Sequence, residues 1–197
     1  MASVKHALKA EAAGCEAVVA EGFEAGGHNG VDEITTFCLV PQVTEAVKIP
    51  VIAAGGIADG RQMLAALALG AQAVQIGTRF AATIESSSHP NYKQAVIEAG
   101  DNATVLTLKK VAPVRLKKNA FALEAINAES RGATKDQEVE LLGKKREMQG
   151  IFEGDLDQGE LEMGQSSGLI KDIISAEEVV KRLIAEYETA VKRMNKI

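Results

Sequence analysis

Three short stretches concentrate the residue types that can do chemistry. Glu24-Ala25-Gly26-Gly27-His28-Asn29-Gly30 surrounds one histidine with glycines, leaving almost no neighbouring side chain to bury the imidazole. Histidine is the side chain best suited to proton transfer near neutral pH, so His28 is the candidate catalytic group. A merely solvated loop histidine is the competing reading. The other two stretches are Gly55-Gly56 and Gly77-Thr78, each closing a short apolar run. Glycines at the end of a strand let backbone N–H groups approach a phosphate, and a following helix adds the positive end of its dipole. Thr78 adds a hydroxyl donor. One such turn is weak support; two on successive strands point to the phosphate of a nucleotide-like cofactor. Arg79 reads equally well as added charge there or as half of a structural salt bridge. His6 lies on a helical pattern and His89, beside Pro90, reads as a helix cap.

These residues need a frame that brings them to one face. Ala17-Val18-Val19-Ala20, Pro50-Val51-Ile52-Ala53-Ala54 and Ala73-Val74-Gln75-Ile76 are short runs, apolar on both faces, as in parallel strands covered on both sides. Helical patterns over 3–13, Thr35 to Val47 and 60–69 lie between them. Gly14 and Gly70 each stand four residues before a strand valine, where a glycine C-cap turns the chain into the next strand. The order predicts an α/β fold with a parallel sheet. Strands this few cannot close a barrel. Left alone they would form a small sheet with open edges, so this is either a small open α/β sheet or the C-terminal part of a larger barrel.

After Phe80 the pattern becomes mainly helical. A helix starts at Pro90 and runs to about Ala99, and Thr104 to Leu108 reads as a short extended piece. Residues 109–118, with Lys109, Lys110, Arg115, Lys117 and Lys118, read as a solvated basic face. Helices follow over about 119–130 and 136–148. A last helix opens on the capping-box pattern Ser175-x-x-Glu178, and its stripe from Val179 through Leu183 and Ile184 to Met194 reads as a docking face. Residues 1–86 therefore read as one β/α segment, a partial barrel on the second of those readings, and residues 87–197 as a mainly helical region packed on it.

Composition removes several classes of function. A net charge of −5 disfavours non-specific nucleic-acid binding. No apolar run approaches the roughly 20 residues of a membrane span, and the N-terminus lacks a secretory apolar stretch. Cys15 and Cys38 have no metal-ligand spacing and read as reduced thiols of a cytoplasmic protein. No metal site is expected.

Set in order, Glu21-Gly22-Phe23-Glu24-Ala25-Gly26-Gly27-His28, Ile52 to Gly60 and Gln75-Ile76-Gly77-Thr78-Arg79-Phe80 closely resemble the nitronate monooxygenase family, formerly 2-nitropropane dioxygenases. That family is related to FMN-dependent enoyl-ACP reductase II. Phe152-Glu153-Gly154-Asp155-Leu156 and Gly164 to Ile170 extend the resemblance over most of the chain. It implies a (β/α)8 TIM-type barrel with FMN at the C-terminal ends of its strands, those here matching the sixth to eighth. Gly55, Gly56, Gly77 and Thr78 match the FMN-phosphate loops, Glu21 an acidic position near the flavin, and His28 the active-site histidine.

The implied activity is flavin oxidation of alkyl nitronates with dioxygen, on a nitronate or nitroalkane substrate. Enoyl-ACP reductase II chemistry, with NAD(P)H and an enoyl thioester, fits the same motifs. A reading of another class is a truncated, non-catalytic chain acting as an interaction or oligomeric protein. Counterparts of the first five strands are absent, so the expectation is a piece of the full enzyme. Homo-oligomerisation is left open.

Overall fold

The computed structural model describes residues 1–196. Its first part alternates helix and strand: α1 (Val4–Ala12), β1 (Val18–Glu21), α2 (Thr36–Ala46), β3 (Val51–Ala54), α3 (Gly60–Ala68) and β4 (Ala73–Gln75). A two-residue strand, β2 (Gly27–His28), interrupts the connection from β1 to α2. Strands β1, β3 and β4 form a parallel sheet in that order, with Val18 beside Val51 and Ile52 beside Ala73. The predicted α/β arrangement with a parallel sheet is therefore present.

Local sequence explains the boundaries. Asp59 caps α3 by accepting the N–H groups of Arg61 and Gln62, and the Gln62 side chain accepts in return. Gly14 and Gly70, at φ of 91° and 102°, end α1 and α3 in the left-handed region. Val18, Ala20, Val51 and Ala53 of the strands bury against Leu39, Val40 and Val43 of α2. Burying a side chain of valine or leucine size contributes roughly 1.5–3 kcal/mol. Because the strands run parallel, Glu21, Gly55 and Gly77 all emerge at one end of the sheet.

The second part contains α4 (Thr78–Ala81), α5 (Pro90–Ile97), β5 (Thr104–Thr107), β6 (Val114–Lys117), α6 (Ala120–Ser130), α7 (Lys135–Leu142) and α8 (Ala176–Met194). A π-helical turn spans Met148–Phe152 and a 3-10 turn spans Gln165–Leu169. His89 caps α5, its Nδ1 accepting the N–H of Asn91 at 3.1 Å. Strands β5 and β6 pair antiparallel, and β2 pairs with the free edge of β6. This second sheet joins the His28 loop to the C-terminal region.

Three expectations need correction. The basic stretch 109–118 is not uniformly solvated: Lys109 and Lys110 are exposed, but Arg115 is buried. Its Nε donates to the Phe23 carbonyl at 2.9 Å and its guanidinium lies 4.9 Å from the Phe23 ring centre. The helix expected to reach 148 stops at Leu142, because Gly143 takes a φ of 65°. On α8, Val179 and Leu183 are buried, whereas Val180, Ile184 and Met194 are exposed. The helix docks through a narrower strip than its apolar pattern implies. Among the described residues, no helix is long and apolar enough to cross a membrane.

Candidate active site

The strand ends converge on a cleft of about 360 Å³, within the size range of small-molecule sites. Glu21, Gly55, Gly56, Gly77 and Thr78 all line it. Gly55 and Gly56 have φ of 89° and 72°, a pair of left-handed residues that side chains rarely permit. A Cβ on Gly55 would also sit 2.5 Å from the Gly22 carbonyl oxygen. Gly77 differs: its φ is −92°, and a Cβ there would meet nothing within 4 Å. Its role is therefore openness toward the cleft rather than backbone strain.

Among the described residues, no protein acceptor pairs with the backbone N–H of Gly56 or Gly77. Thr78 Oγ1 accepts the backbone N–H of Gly164 at 2.9 Å, which leaves its hydroxyl proton free to donate. No lysine or arginine lines the cleft. An anion seated there would be held by neutral backbone and hydroxyl dipoles. Arg79 is committed elsewhere: buried, it pairs with Asp172 at 3.0 Å, and Asp172 also pairs with Arg182 of α8. Of its two readings, the structural salt bridge is the observed one.

Behind the glycine turns, Thr36 braces the arrangement. Its backbone N–H donates to the Glu24 carboxylate at 2.9 Å, and its hydroxyl lies 2.9 Å from the Gly55 carbonyl oxygen. Glu21, half-buried at the end of β1, has its carboxyl raised above the usual range by burial, partly offset by the Met1 amino group.

His28 does not line the cleft. It sits at the rim on β2, its side chain 72% exposed, with Nδ1 3.9 Å from Oε1 of Glu162. Glu162 does line the cleft. Burial raises its carboxyl, as does nearby Glu147, while the His28 charge pulls it back down. Tyr92, whose phenol is raised by burial and then by Glu162, donates from Oη to the Glu162 carbonyl at 2.5 Å.

Glu162 and Tyr92 are cleft residues that the motifs did not indicate; Gly164 and Ser166, from the Gly164 to Ile170 stretch, also line it. Nothing local in Glu160-Leu161-Glu162 distinguishes these carboxylates from surface charge. The alternation of Leu161 and Met163 with Glu160 and Glu162 was the usable signal, a strand-like pattern that buries one face. A larger groove of about 780 Å³ runs between α3 and α8. It is lined by no histidine and no glycine, and shares no lining residue with the cleft. Among the described residues, no group of His, Cys, Asp and Glu is placed to hold a metal ion.

A cleft with a glycine lip at the ends of parallel strands is where α/β folds place small-molecule sites. The chain belongs to the nitronate monooxygenase family, whose model matches residues 1–186. It is 36% identical over 202 residues to a nitronate monooxygenase of Paraburkholderia phytofirmans, covering 97% of this chain and 53% of that protein. Its fold superposes on FabK from Thermotoga maritima with a TM-score of 0.93 and 43% identity, covering 100% of this chain and 62% of that one. The nitroalkane oxidase of Streptomyces ansochromogenes gives a TM-score of 0.83 at 34% identity, covering 98% of this chain and 58% of the other. The chain thus spans little more than half the length of these relatives.

Proposed function

We propose that this chain supplies the phosphate-gripping end of an FMN site in a (β/α)8 barrel. The protein is then a flavin-dependent oxidoreductase that acts on alkyl nitronates with dioxygen. On this reading β1, β3 and β4 are the last three barrel strands. Residues 1–86 carry the phosphate loops, and residues 87–197 pack over them. The observation that carries the proposal is the convergence of Glu21, Gly55, Gly56, Gly77 and Thr78 on one cleft. The residues present fit a phosphate: N–H groups without protein acceptors, a hydroxyl with a free proton, and a lip without side chains.

FMN supplies the electron transfer, which no side chain here can perform. The chain's own residues would do the rest. Gly56, Gly77 and Thr78 would donate to the phosphate. Glu21 would face the cofactor from the end of β1. His28, at the rim, would meet the nitro group or take a carbon-bound proton. Exposed, unpaired Cys15 and Cys38 suit a reducing compartment such as the cytoplasm.

A second reading is favoured by one observation. The TM-score and identity to FabK exceed those to the nitroalkane oxidase, so enoyl-ACP reductase II chemistry with NAD(P)H is the alternative for the same cleft. Two steady-state assays on FMN-loaded protein separate them: a nitronate with dioxygen, and NADH with an enoyl thioester. Nitronate-dependent oxygen uptake supports the first. Turnover confined to the thioester assay replaces it with the second.

A further inference from the structure

We propose that Glu162 is the positioning partner of His28, holding its imidazole at the mouth of the glycine cleft. This rests on reading His28 as the active-site histidine. The contact is built into the second sheet. Along one edge of β6, His28 stands opposite Val114, Gly27 opposite Arg115, and Glu162 opposite Leu116. Positions two apart on a strand share a face, so this register turns His28 and Glu162 toward each other across Gly27. The Nδ1 to Oε1 separation is 3.9 Å.

The residue between them makes the approach feasible. A Cβ on Gly27 would lie 2.9 Å from the Glu162 carboxylate, so only glycine leaves that carboxylate its place. Both partners are anchored through the backbone. Tyr92 Oη donates to the Glu162 carbonyl at 2.5 Å, and the Lys117 N–H donates to the Leu161 carbonyl at 2.8 Å. On the other side, the Asn29 N–H donates to Pro113 at 2.8 Å, and Asn29 Nδ2 donates to the Gly27 carbonyl at 2.9 Å.

The two side chains divide the work by exposure. The imidazole is 72% exposed, while the carboxylate is 27% exposed and also lines the cleft. Glu162 therefore touches both the histidine and the cleft interior. Other charges near the pair are Glu160, Glu147 and Arg146 from the adjoining segments and Arg115 on β6. Arg115 is turned away onto Phe23, and Arg146 stacks 4.3 Å from the Phe121 ring centre. Neither cation competes for Glu162 in these contacts.

The test is a carbon-detected NMR titration of the Glu162 carboxyl in the 197-residue chain, with no cofactor needed. The His28 charge lowers the Glu162 midpoint, so His28→Asn should raise it. His28→Lys, which restores a cation, should bring it back toward the parent value. An unchanged midpoint in His28→Asn overturns the proposal. So does a midpoint in His28→Lys that stays with the Asn variant. A coupled pair in a chain that binds no flavin would keep this inference and sink the flavin reading. Flavin binding without coupling would do the reverse.

Discussion

Thr78 and Gly164 are joined across the chain: the threonine Oγ1 accepts the glycine N–H at 2.9 Å. The bond ties the Gly77-Thr78 turn after β4 to the Gly164 segment, which also lines the cleft. Thr78→Val keeps the shape but leaves the buried N–H of Gly164 without an acceptor, at a cost of about 1–3 kcal/mol. Thr78→Ser retains the acceptor and should stay near the parent. Urea unfolding of both variants checks the difference.

Gly55 and Gly77 look alike in sequence and differ in structure. Gly55→Ala forces a side chain onto a φ of 89° and against the Gly22 carbonyl, and should destabilise by about 2–3 kcal/mol. Gly77→Ala meets no atom within 4 Å and should leave the melting temperature almost unchanged. Any loss of cofactor affinity in Gly77→Ala then reports on the cleft itself. Thermal melts paired with flavin titrations separate the two effects.

The parallel sheet, its glycine turns and the order of elements were legible because each rests on short-range chemistry. An apolar run closed by Gly55-Gly56 reads directly from the chain. The second sheet did not. Strand β2 is only Gly27–His28, too short for periodicity, and its partner β6 begins 86 residues after His28, at Val114, in a lysine-rich stretch. Arg115 misled because burial depends on Phe23, a contact no local pattern encodes. Glu162 offered only its alternation with Leu161 and Met163, which says nothing of its neighbours. Its meaning comes from standing opposite Leu116, beside His28.

Glu160 gives the fold a pH dependence. Burial, then Glu162 and Glu147, raise its carboxyl from 4.5 to about 7, against the opposing pull of Arg146. A carboxyl raised on folding binds its proton more tightly in the folded state. Its contribution is therefore fully present below the unfolded value and is lost as pH rises through about 7. Discounted for solvent screening, the change between pH 4.5 and 8 should be about 1–2 kcal/mol. Glu160→Gln should flatten that part of the stability profile, as measured by urea melts across the range.

Helix α8 should respond only along its narrow docking strip. Leu183 is 7% exposed and Ile184 is 49% exposed. Leu183→Ala should cost about 2–4 kcal/mol, and Ile184→Ala less than about 1 kcal/mol. Equal losses at both positions would mean that the exposed flank is covered in solution. Calorimetry on the two variants decides.

The central claim is that the glycine cleft at the strand ends grips a flavin phosphate. Its most direct test compares FMN with riboflavin, which lacks only that phosphate, by fluorescence-quenching titration. FMN should bind at least about tenfold more tightly, a difference of about 1.4 kcal/mol, and Thr78→Val should shrink the gap. Equal affinity for the two flavins, or no binding of either, would contradict it.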